Sequence, residues 1–241
     1  MVKSTLNKIF EKQNIYFVDK TRKGMEELFK TLDKNKIINF QEEGGWHTYP
    51  KSAKKQGFKI NYLKQKNGKL IELPKKEEVL IINSMPGYCY SENIDKIAKH
   101  CKENKILLIN DVTASIGTQK PVGDIIICSF GNHKPISIGT GGVIATNNKL
   151  SIQETKLNET KLEQQIKNLQ NKLSYWKKIK KQIEKDLKEK VINKGEGINI
   201  LVDDKKENLI NYLNKNNLEY AECPKYIRTN KKCISIEIKR R

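Results

Sequence analysis

The sequence predicts an α/β fold: a three-layer αβα arrangement around a mainly parallel seven-stranded sheet, followed by a small C-terminal α+β lobe. Short apolar segments recur along the first 148 residues, and most of them are separated by segments with the apolar spacing of helices. Strands joined by helical crossovers run parallel and are covered on both faces. The strands are predicted at residues 15–18, 36–40, 58–63, 78–83, 106–110, 124–129 and 142–146.

The helices between these strands are supported by their own residues. In the segment 21–32, Met25, Leu28, Phe29 and Leu32 recur at helical spacing. Ser91 and Asn93 are candidate N-caps for the helix that precedes the fifth strand. The helices of this half of the chain are predicted at residues 2–12, 21–32, 46–56 and 91–103.

The rest of the chain divides into two parts. Residues 150–191 are rich in lysine and glutamate and carry spaced apolar residues, among them Leu162, Leu169 and Trp176. This pattern fits a helix pair that packs on the large domain or on a partner subunit, and a coiled coil is the alternative because the spacing mixes three and four. A strand at 198–202, a helix at 205–216 and a strand at 233–238 then form a small lobe. We expect a large domain (1–148), a helical connector (149–194) and a small lobe (195–241).

Composition limits the class of protein. The 241 residues are enough for one sizeable core and a small second lobe. No apolar segment approaches the roughly 20 residues that span a bilayer, and the N-terminal residues lack the apolar centre of a secretory signal. The five cysteines form no CxxC pair, so we interpret them as reduced thiols of a cytoplasmic protein and expect no metal site.

The formal net charge of +19 has two interpretations. A field of this sign attracts nucleic acids and other polyanions, which favours an RNA or tRNA partner. Alternatively, lysine is enriched over the whole surface as a compositional bias. The lysines are spread along the chain without an arginine-rich cluster or a series of stacking aromatic residues, which favours the second interpretation.

Three residues of complementary chemistry follow consecutive predicted strands. Asp111 and Ser129 come at the ends of two apolar segments, and Lys134 lies five residues beyond Ser129. A lysine that forms a Schiff base with an aldehyde cofactor needs a nearby carboxylate that keeps the cofactor's ring nitrogen protonated. A phosphate needs hydroxyl and N–H donors. Because ligands of parallel sheets bind at the carboxyl ends of the strands, these residues predict a site for pyridoxal 5'-phosphate (PLP).

The same residues carry a family resemblance. Residues 129–142, SFGNHKPISIGTGG, resemble the Schiff-base lysine motif of the DegT/StrS group of sugar aminotransferases, with Ser129, Lys134 and the closing glycines in register. Residues 110–117, NDVTASIG, resemble the family's aspartate segment, with Asp111 and Gly117 matching. The family's glutamine falls on Ala114, so its hydrogen bond to the cofactor is lost or comes from Thr113 or Ser115.

The resemblance implies a fold-type-I PLP-dependent transferase and a homodimer with sites at the subunit interface. Lys134 is then the Schiff-base lysine, Asp111 the partner of the ring nitrogen and Ser129 a ligand of the phosphate. The C-terminal lobe resembles the family's small domain in shortened form. The family's Asn-x-Arg segment, which reaches the partner subunit's cofactor, has no counterpart between Asn147 and Lys172.

The N-terminal side of the expected site also departs from the family. Lys20, Thr21 and Arg22 replace the family's Ser-Gly-Thr phosphate cup, where a strand turns into a helix. A helix N-terminus with these residues can still hold a dianion, although a plain helix start with two surface cations is the alternative.

Two aromatic residues and two basic residues complete the candidates. Trp46 and His47 fall on the segment from which the family stacks an aromatic ring on the cofactor, although a lone tryptophan is also a common core residue. His133 is interpreted as a local packing or hydrogen-bonding group. Arg228 is the best-placed arginine of the small lobe for a substrate carboxylate.

Three functions remain open. The first is an aminotransferase-like enzyme that moves an amino group from a small donor to a keto acceptor, which family analogy suggests is a sugar. The second is a PLP enzyme that acts on an aminoacyl-tRNA. The third is a degenerate relative that binds or regulates without catalysis, although drift is not expected to retain Lys134, Asp111 and Ser129 together.

Overall fold

The structure, a computed structural model, describes residues 2–241. The helices are α1 (Val2–Phe10), α2 (Thr21–Thr31), α3 (Thr48–Lys55), α4 (Ile94–Glu103), α5 (Glu159–Lys167), α6 (Leu169–Leu187) and α7 (Lys206–Lys215). The strands are β1 (Asn14–Val18), β2 (Ile38–Gln41), β3 (Ile60–Leu63), β4 (Gln65–Lys66), β5 (Lys69–Leu70), β6 (Val79–Asn83), β7 (Leu107–Asp111), β8 (Ile125–Ser129), β9 (Gly142–Thr146), β10 (Ile200–Val202), β11 (Tyr220–Lys225) and β12 (Thr229–Ile236).

Seven strands form one sheet in the order β1-β9-β8-β7-β6-β2-β3. Strands β3, β2, β6, β7 and β8 pair in parallel, whereas β9 pairs antiparallel with both β8 and β1. Strand β9 follows β8 without a crossover helix, so the chain turns back and must run in the opposite direction. The predicted mainly parallel seven-stranded sheet is therefore confirmed.

Helices cover both faces of this sheet and complete the three predicted layers. On one face, α2 and α3 bury Met25, Phe29 and Tyr49 against Ile81 and Ile127. On the other face, α1 and α5 pack against the alternate residues of β1, β8 and β9, and α4 packs against β6 and β7. Apolar residues point to both sides of the central strands, which explains why their sequences are continuously apolar.

Two helix starts differ from the sequence-based expectation. The third helix begins at Thr48 and not at residue 46, because Trp46 lies in the turn before it and its carbonyl accepts the N–H of Tyr49. The fourth helix begins at Ile94, and the side chain of Asn93 caps it by accepting the Lys96 N–H at 3.2 Å. The expectation of a second cap at Ser91 was wrong, because the chain there is not yet helical.

The connector after β9 is only partly helical. Residues 150–158 form no helix, and Ile152 packs on the sheet face that α2 covers. Helices α5 and α6 then meet at Asn168. Leu162 and Leu169 pack against the large sheet, whereas Trp176 and Ile183 pack against the small lobe. The helix pair therefore packs on the chain's own two sheets.

The C-terminal residues form a three-stranded antiparallel sheet in the order β10-β12-β11, with α7 beside it. Strand β11 was not predicted, because its sequence, YAECPK, is polar and contains a proline. One apolar cluster joins this sheet to α6 and to Met85 and Tyr88, which follow β6. The small sheet is thus held against the end of the large one. Among residues 2–241, no helix has the length and apolar character needed to cross a membrane.

Candidate active site

The sheet topology brings the ends of several strands to one edge. Strand β7 ends at Asp111, β8 at Ser129 and β1 at Val18. Gly142, the first residue of β9, pairs with both Val18 and Ser129. The carboxyl ends of β1, β7 and β8 therefore lie side by side, which is where ligands of parallel sheets bind.

A cavity of about 590 Å³ opens at this edge. Its walls come from the strand ends of the large sheet, the first turns of α2 and α3, and the small lobe. All the candidate residues singled out for cofactor binding line it: Thr21, Arg22, Trp46, Asp111, Ser129 and Lys134.

Asp111 is buried at the cavity floor, with 5 % of its surface exposed. Its Oδ2 accepts the hydroxyl of Tyr49 at 3.1 Å and its Oδ1 accepts the N–H of Thr113 at 3.0 Å. Burial raises the pKa of Asp111, while these hydrogen bonds and the charge of Lys134 partly oppose that rise. The carboxylate is therefore fixed in orientation and faces a low-dielectric cavity.

Hydrogen bonds connect Asp111 to Thr113 and Thr113 to Ser129. Thr113 donates its N–H to Asp111, and its hydroxyl oxygen accepts the N–H of Ser129 at 2.9 Å. The Ser129 hydroxyl in turn accepts the N–H of Gly131 at 3.4 Å. The ends of β7 and β8 are thus locked together by polar contacts as well as by strand pairing.

Lys134 is half-buried and lies in the loop between β8 and β9. Its Nζ is 5.2 Å from the ring centre of Tyr88 and 6.0 Å from that of Trp46. Burial lowers the pKa of Lys134, and the charge of Asp111 partly restores it. A lowered pKa increases the fraction of neutral amine, the form that attacks a carbonyl.

The loop after β1 forms the opposite end of the cavity. Thr21 is buried at the start of α2, whereas Lys20 and Arg22 are exposed. A Cβ added to Gly142 would lie 2.4 Å from Thr21 Cγ2, so the helix start and the β9 strand approach each other as closely as glycine permits. Arg22 makes only a 3.8 Å contact with Glu26 within residues 2–241, which leaves most of its donors available to an anion.

Of the two aromatic candidates, Trp46 lines the cavity and His47 does not. Trp46 is 42 % exposed and its ring centre is 4.9 Å from that of His47. The core interpretation of Trp46 is therefore wrong, and a ring that lies over a bound cofactor remains the alternative. His133 also lines the cavity, with an exposed side chain and φ of 59°.

Ala114, which stands where the family has a glutamine, and its neighbours Thr113 and Ser115 lie in different surroundings. Ala114 is fully buried in the apolar cluster beneath the small lobe. Ser115 bonds Ser84 at 2.6 Å and does not line the cavity, whereas Thr113 does line it. Of the two proposed substitutes, only Thr113 is placed to contact a ligand.

Sequence reasoning missed several lining residues, among them Thr48, Tyr49, Tyr88 and Lys239. Tyr88 follows Pro86-Gly87, a turn signal, but nothing in its spacing points to a site. Lys239 lies in a lysine-rich C-terminal segment where no single lysine stands out. The hydroxyls of Thr48 and Tyr88 are buried without a hydrogen-bond partner among residues 2–241.

Comparison with known proteins supports an enzymatic origin for this cavity. The sequence profile of the DegT/DnrJ/EryC1/StrS aminotransferase family matches residues 73–196, just over half of the chain. The chain belongs to this family. The matched segment includes Asp111, Ser129 and Lys134. No curated protein sequence gives a significant match.

Solved structures of the family share the fold. Helicobacter pylori PseC, an aminotransferase involved in the biosynthesis of pseudoaminic acid, superposes with a TM-score of 0.72 and 14 % identity over 98 % of this chain and 84 % of its own. A DegT/DnrJ/EryC1/StrS aminotransferase from Brucella abortus gives 0.71 and 11 % identity over 98 % and 83 %. An E. coli GDP-4-keto-6-deoxy-D-mannose-3-dehydratase with bound hydrated PLP gives 0.70 and 14 % over 91 % and 77 %.

Proposed function

We propose that this protein is a PLP-dependent aminotransferase-like enzyme in which Lys134 forms the Schiff base with the cofactor. The observation that supports it most is that Asp111, Ser129 and Lys134 line one cavity together with the start of α2. Its substrates are a small amino donor and a keto acceptor, and family analogy makes a sugar one candidate acceptor.

The lining residues fit this cofactor. The start of α2, with Thr21 and Arg22, and the hydroxyl of Ser129 offer donors for a phosphate. Asp111 offers a buried negative charge that raises the pKa of a ring nitrogen placed beside it. When bound, the cofactor supplies an electron sink for negative charge that develops at the substrate carbon.

The protein's own residues then have distinct tasks. Lys134 supplies the amine for attachment, with a pKa lowered by burial, and would then be free to carry a proton at Nζ as a base. Hydrogen bonds from Tyr49 and Thr113 hold the carboxylate of Asp111 in one orientation. The half-buried position of Lys134 limits access of water to the amine.

Two lysines that line the cavity, Lys134 and Lys239, are candidates for the Schiff base with the cofactor. The pKa of Lys239 is also lowered by burial, to about 8. Asp111 is among the charges that act on Lys134, and Lys134 follows β8 at the strand-end edge, whereas Lys239 belongs to the small lobe. This difference favours Lys134.

The test is the visible absorption spectrum with added PLP, followed by borohydride reduction and peptide mapping. We expect a Schiff-base band and a modified peptide that contains Lys134. The variant Lys134→Ala should lose both, and the matched variant Lys239→Ala should keep both. If the band persists in Lys134→Ala and the modified peptide contains Lys239, then Lys239 is the Schiff-base lysine. Absence of any band in the wild type would leave the non-catalytic alternative.

Dimerisation and a tRNA substrate are separate questions. We propose a homodimer, as the family resemblance implies, and light scattering of the purified protein tests it. A tRNA partner requires binding that weakens steeply with salt, which a titration at two salt concentrations measures.

A further inference from the structure

Three of the five cysteines of the chain are buried in one small apolar cluster. Cys89, Cys223 and Cys233 share this cluster beside the small sheet. Cys101 and Cys128 are buried in two other clusters, on opposite faces of the large sheet or its helices, each without a second cysteine. A reaction between two sulfur atoms of the chain is therefore open only to the first three.

Cys223 and Cys233 lie directly opposite each other in the antiparallel pair of β11 and β12. Where the same register continues, Glu237 donates its N–H to the carbonyl of Glu219 at 2.8 Å, which makes these two residues a hydrogen-bonded pair. Such pairs alternate along an antiparallel ladder, so the two cysteines also form one. The Cα atoms of a hydrogen-bonded pair are about 5.5 Å apart, which is inside the range of about 4.4–6.8 Å found across disulfides.

The two thiols are also close to each other. Residues that lie opposite each other in a sheet point to the same face, so both sulfur atoms are on one side of β11 and β12. A hydrogen bond between the thiols lowers the pKa of Cys223 and raises that of Cys233. The thiolate is the form that attacks a disulfide, so Cys223 is the better nucleophile of the two.

Cys89, the third cysteine of the cluster, has a different environment. It has 0 % of its surface exposed, and its thiol donates to the carbonyl of Gly87 at 3.2 Å. Burial raises its pKa to about 12. Cys223 has 7 % of its surface exposed and lies on β11, an edge strand of the small sheet. A small reagent therefore reaches Cys223 more easily than Cys89.

The paired cysteines flank residues 224–232, a segment that reaches the candidate active site. Within this segment, Ile227 and Arg228 line the cavity. The carbonyl of Tyr226 accepts the N–H of Gly44 at 2.6 Å, which joins the segment to the loop after β2. A covalent link between the flanking cysteines closes a ring around this segment and restricts its motion.

We propose that Cys223 and Cys233 form a reversible disulfide by exchange with a small-molecule disulfide such as oxidised glutathione. The Cys223 thiolate attacks one sulfur of the small molecule, whose S–S bond breaks and releases one thiol. The Cys233 sulfur then attacks the Cys223 sulfur, the mixed S–S bond breaks and a second thiol leaves. Two electrons pass from the protein thiols to the small disulfide, and the two protein protons end on the released thiols. This inference does not depend on the proposed function.

The test equilibrates the full chain in buffers with different ratios of reduced to oxidised glutathione, followed by alkylation and peptide mapping by mass spectrometry. We expect a linked peptide pair that contains Cys223 and Cys233, increases with the oxidised share and disappears with excess reductant. Cys223→Ala and Cys233→Ala should each lose it, and the matched control Cys89→Ala should keep it. No link at any ratio, glutathione attached to Cys223 without a link, or a link that requires Cys89 overturns the proposal.

Thermal unfolding shows whether the link fits the folded protein. The oxidised wild type should unfold about 5–10 °C above the reduced protein, because the link restricts the unfolded chain. Cys233→Ala should have the same midpoint in both buffers. A link that leaves the midpoint of the wild type unchanged or lowers it contradicts a disulfide of the native sheet.

Hydrogen exchange tests the effect on the cavity wall. Amide exchange in residues 226–231 should slow in the oxidised wild type and stay unchanged in Cys233→Ala. Equal exchange in the oxidised and reduced wild type overturns the effect on this segment. None of these measurements requires PLP, so absence of the Schiff-base band refutes the proposed function alone, and absence of the linked peptide refutes the disulfide alone.

Discussion

The hydroxyl of Tyr49 donates a 3.1 Å hydrogen bond to Oδ2 of Asp111 and joins helix α3 to the end of strand β7. Both residues are buried, with 4 % and 5 % of their surfaces exposed. The bond uses one carboxylate oxygen and fixes the plane of the group. The direction in which Asp111 presents its charge is therefore set by a residue 62 positions away in the chain.

We first predict that Tyr49→Phe destabilises the protein. It leaves an oxygen of a buried carboxylate without its donor, which costs about 1–3 kcal/mol. Loss of the bond should also raise the pKa of Asp111 further, because the Tyr49 hydroxyl acts to lower it. Urea unfolding measures the first effect, and Tyr62→Phe is the control because Tyr62 is 43 % exposed. Equal unfolding midpoints for the two variants would contradict the prediction.

Asp111→Asn tests the charge itself. The amide keeps the size of the side chain but removes the negative charge that acts on Lys134 and that, in the proposed function, lies beside the ring nitrogen of the cofactor. We expect turnover to fall on the order of 10²–10³-fold, as for the loss of a preorganised electrostatic group. The Schiff-base band should persist, because Lys134 is intact. Unchanged turnover with a normal band would show that Asp111 has no catalytic part.

Gly142→Ala tests the close approach between β9 and α2. The added Cβ would lie 2.4 Å from Thr21 Cγ2 and 2.9 Å from the carbonyl oxygen of Cys128. Overpacking of this kind costs typically about 1–3 kcal/mol. It should also displace Thr21 and weaken PLP binding. Gly45→Ala is a matched control, since its Cβ would meet only the Tyr226 hydroxyl, at 3.7 Å. Denaturant unfolding measures the loss of stability, and a PLP titration measures the loss of cofactor affinity.

Glu237 is predicted to support folding at neutral pH. Burial by itself would raise its pKa, but the hydrogen bond and charge of Arg228, together with Lys239, lower it to about 2. Because the pKa of Glu237 in the folded protein lies below the ordinary glutamate value of 4.5, this contribution is complete above pH 4.5 and is lost as pH falls towards 2. Glu237→Gln removes it and leaves buried cations unpaired, a change worth about 3–5 kcal/mol.

The measurement is urea unfolding of the wild type and Glu237→Gln between pH 7 and pH 2.5. The difference in unfolding free energy should be largest at neutral pH and shrink in acid. Glu219→Gln is the control, because the partner of Glu219, Arg240, is exposed at the surface. A constant difference across the pH range would show that ionisation of Glu237 is not the cause.

Local patterns in the sequence were sufficient to predict the seven strands, the helices between them and the residues at the strand ends. Burial on both faces makes β6, β7 and β8 continuously apolar, and helical spacing marks α2, so a local pattern of residues is enough to identify these elements. Strand β11 was not predicted because its sequence is polar. It is stabilised mainly by pairing with β12, which leaves no apolar pattern in the sequence. The division of the chain at residues 148 and 194 stays a prediction.

The sequence by itself determined the fold class, the family resemblance and the positions of Asp111 and Ser129 at strand ends, with Lys134 five residues further on, since apolar segments mark where these strands end. Only the tertiary structure decided which groups face them: Tyr49 on Asp111, Thr21 against Gly142, and Tyr88, Arg228 and Lys239 across the cavity. These contacts join residues that are 62 to 151 positions apart in the chain. The negative charge of Glu237 balances only part of the positive charge of the small lobe. Such pairings depend on how the sheets and helices pack, which no local pattern of residues records.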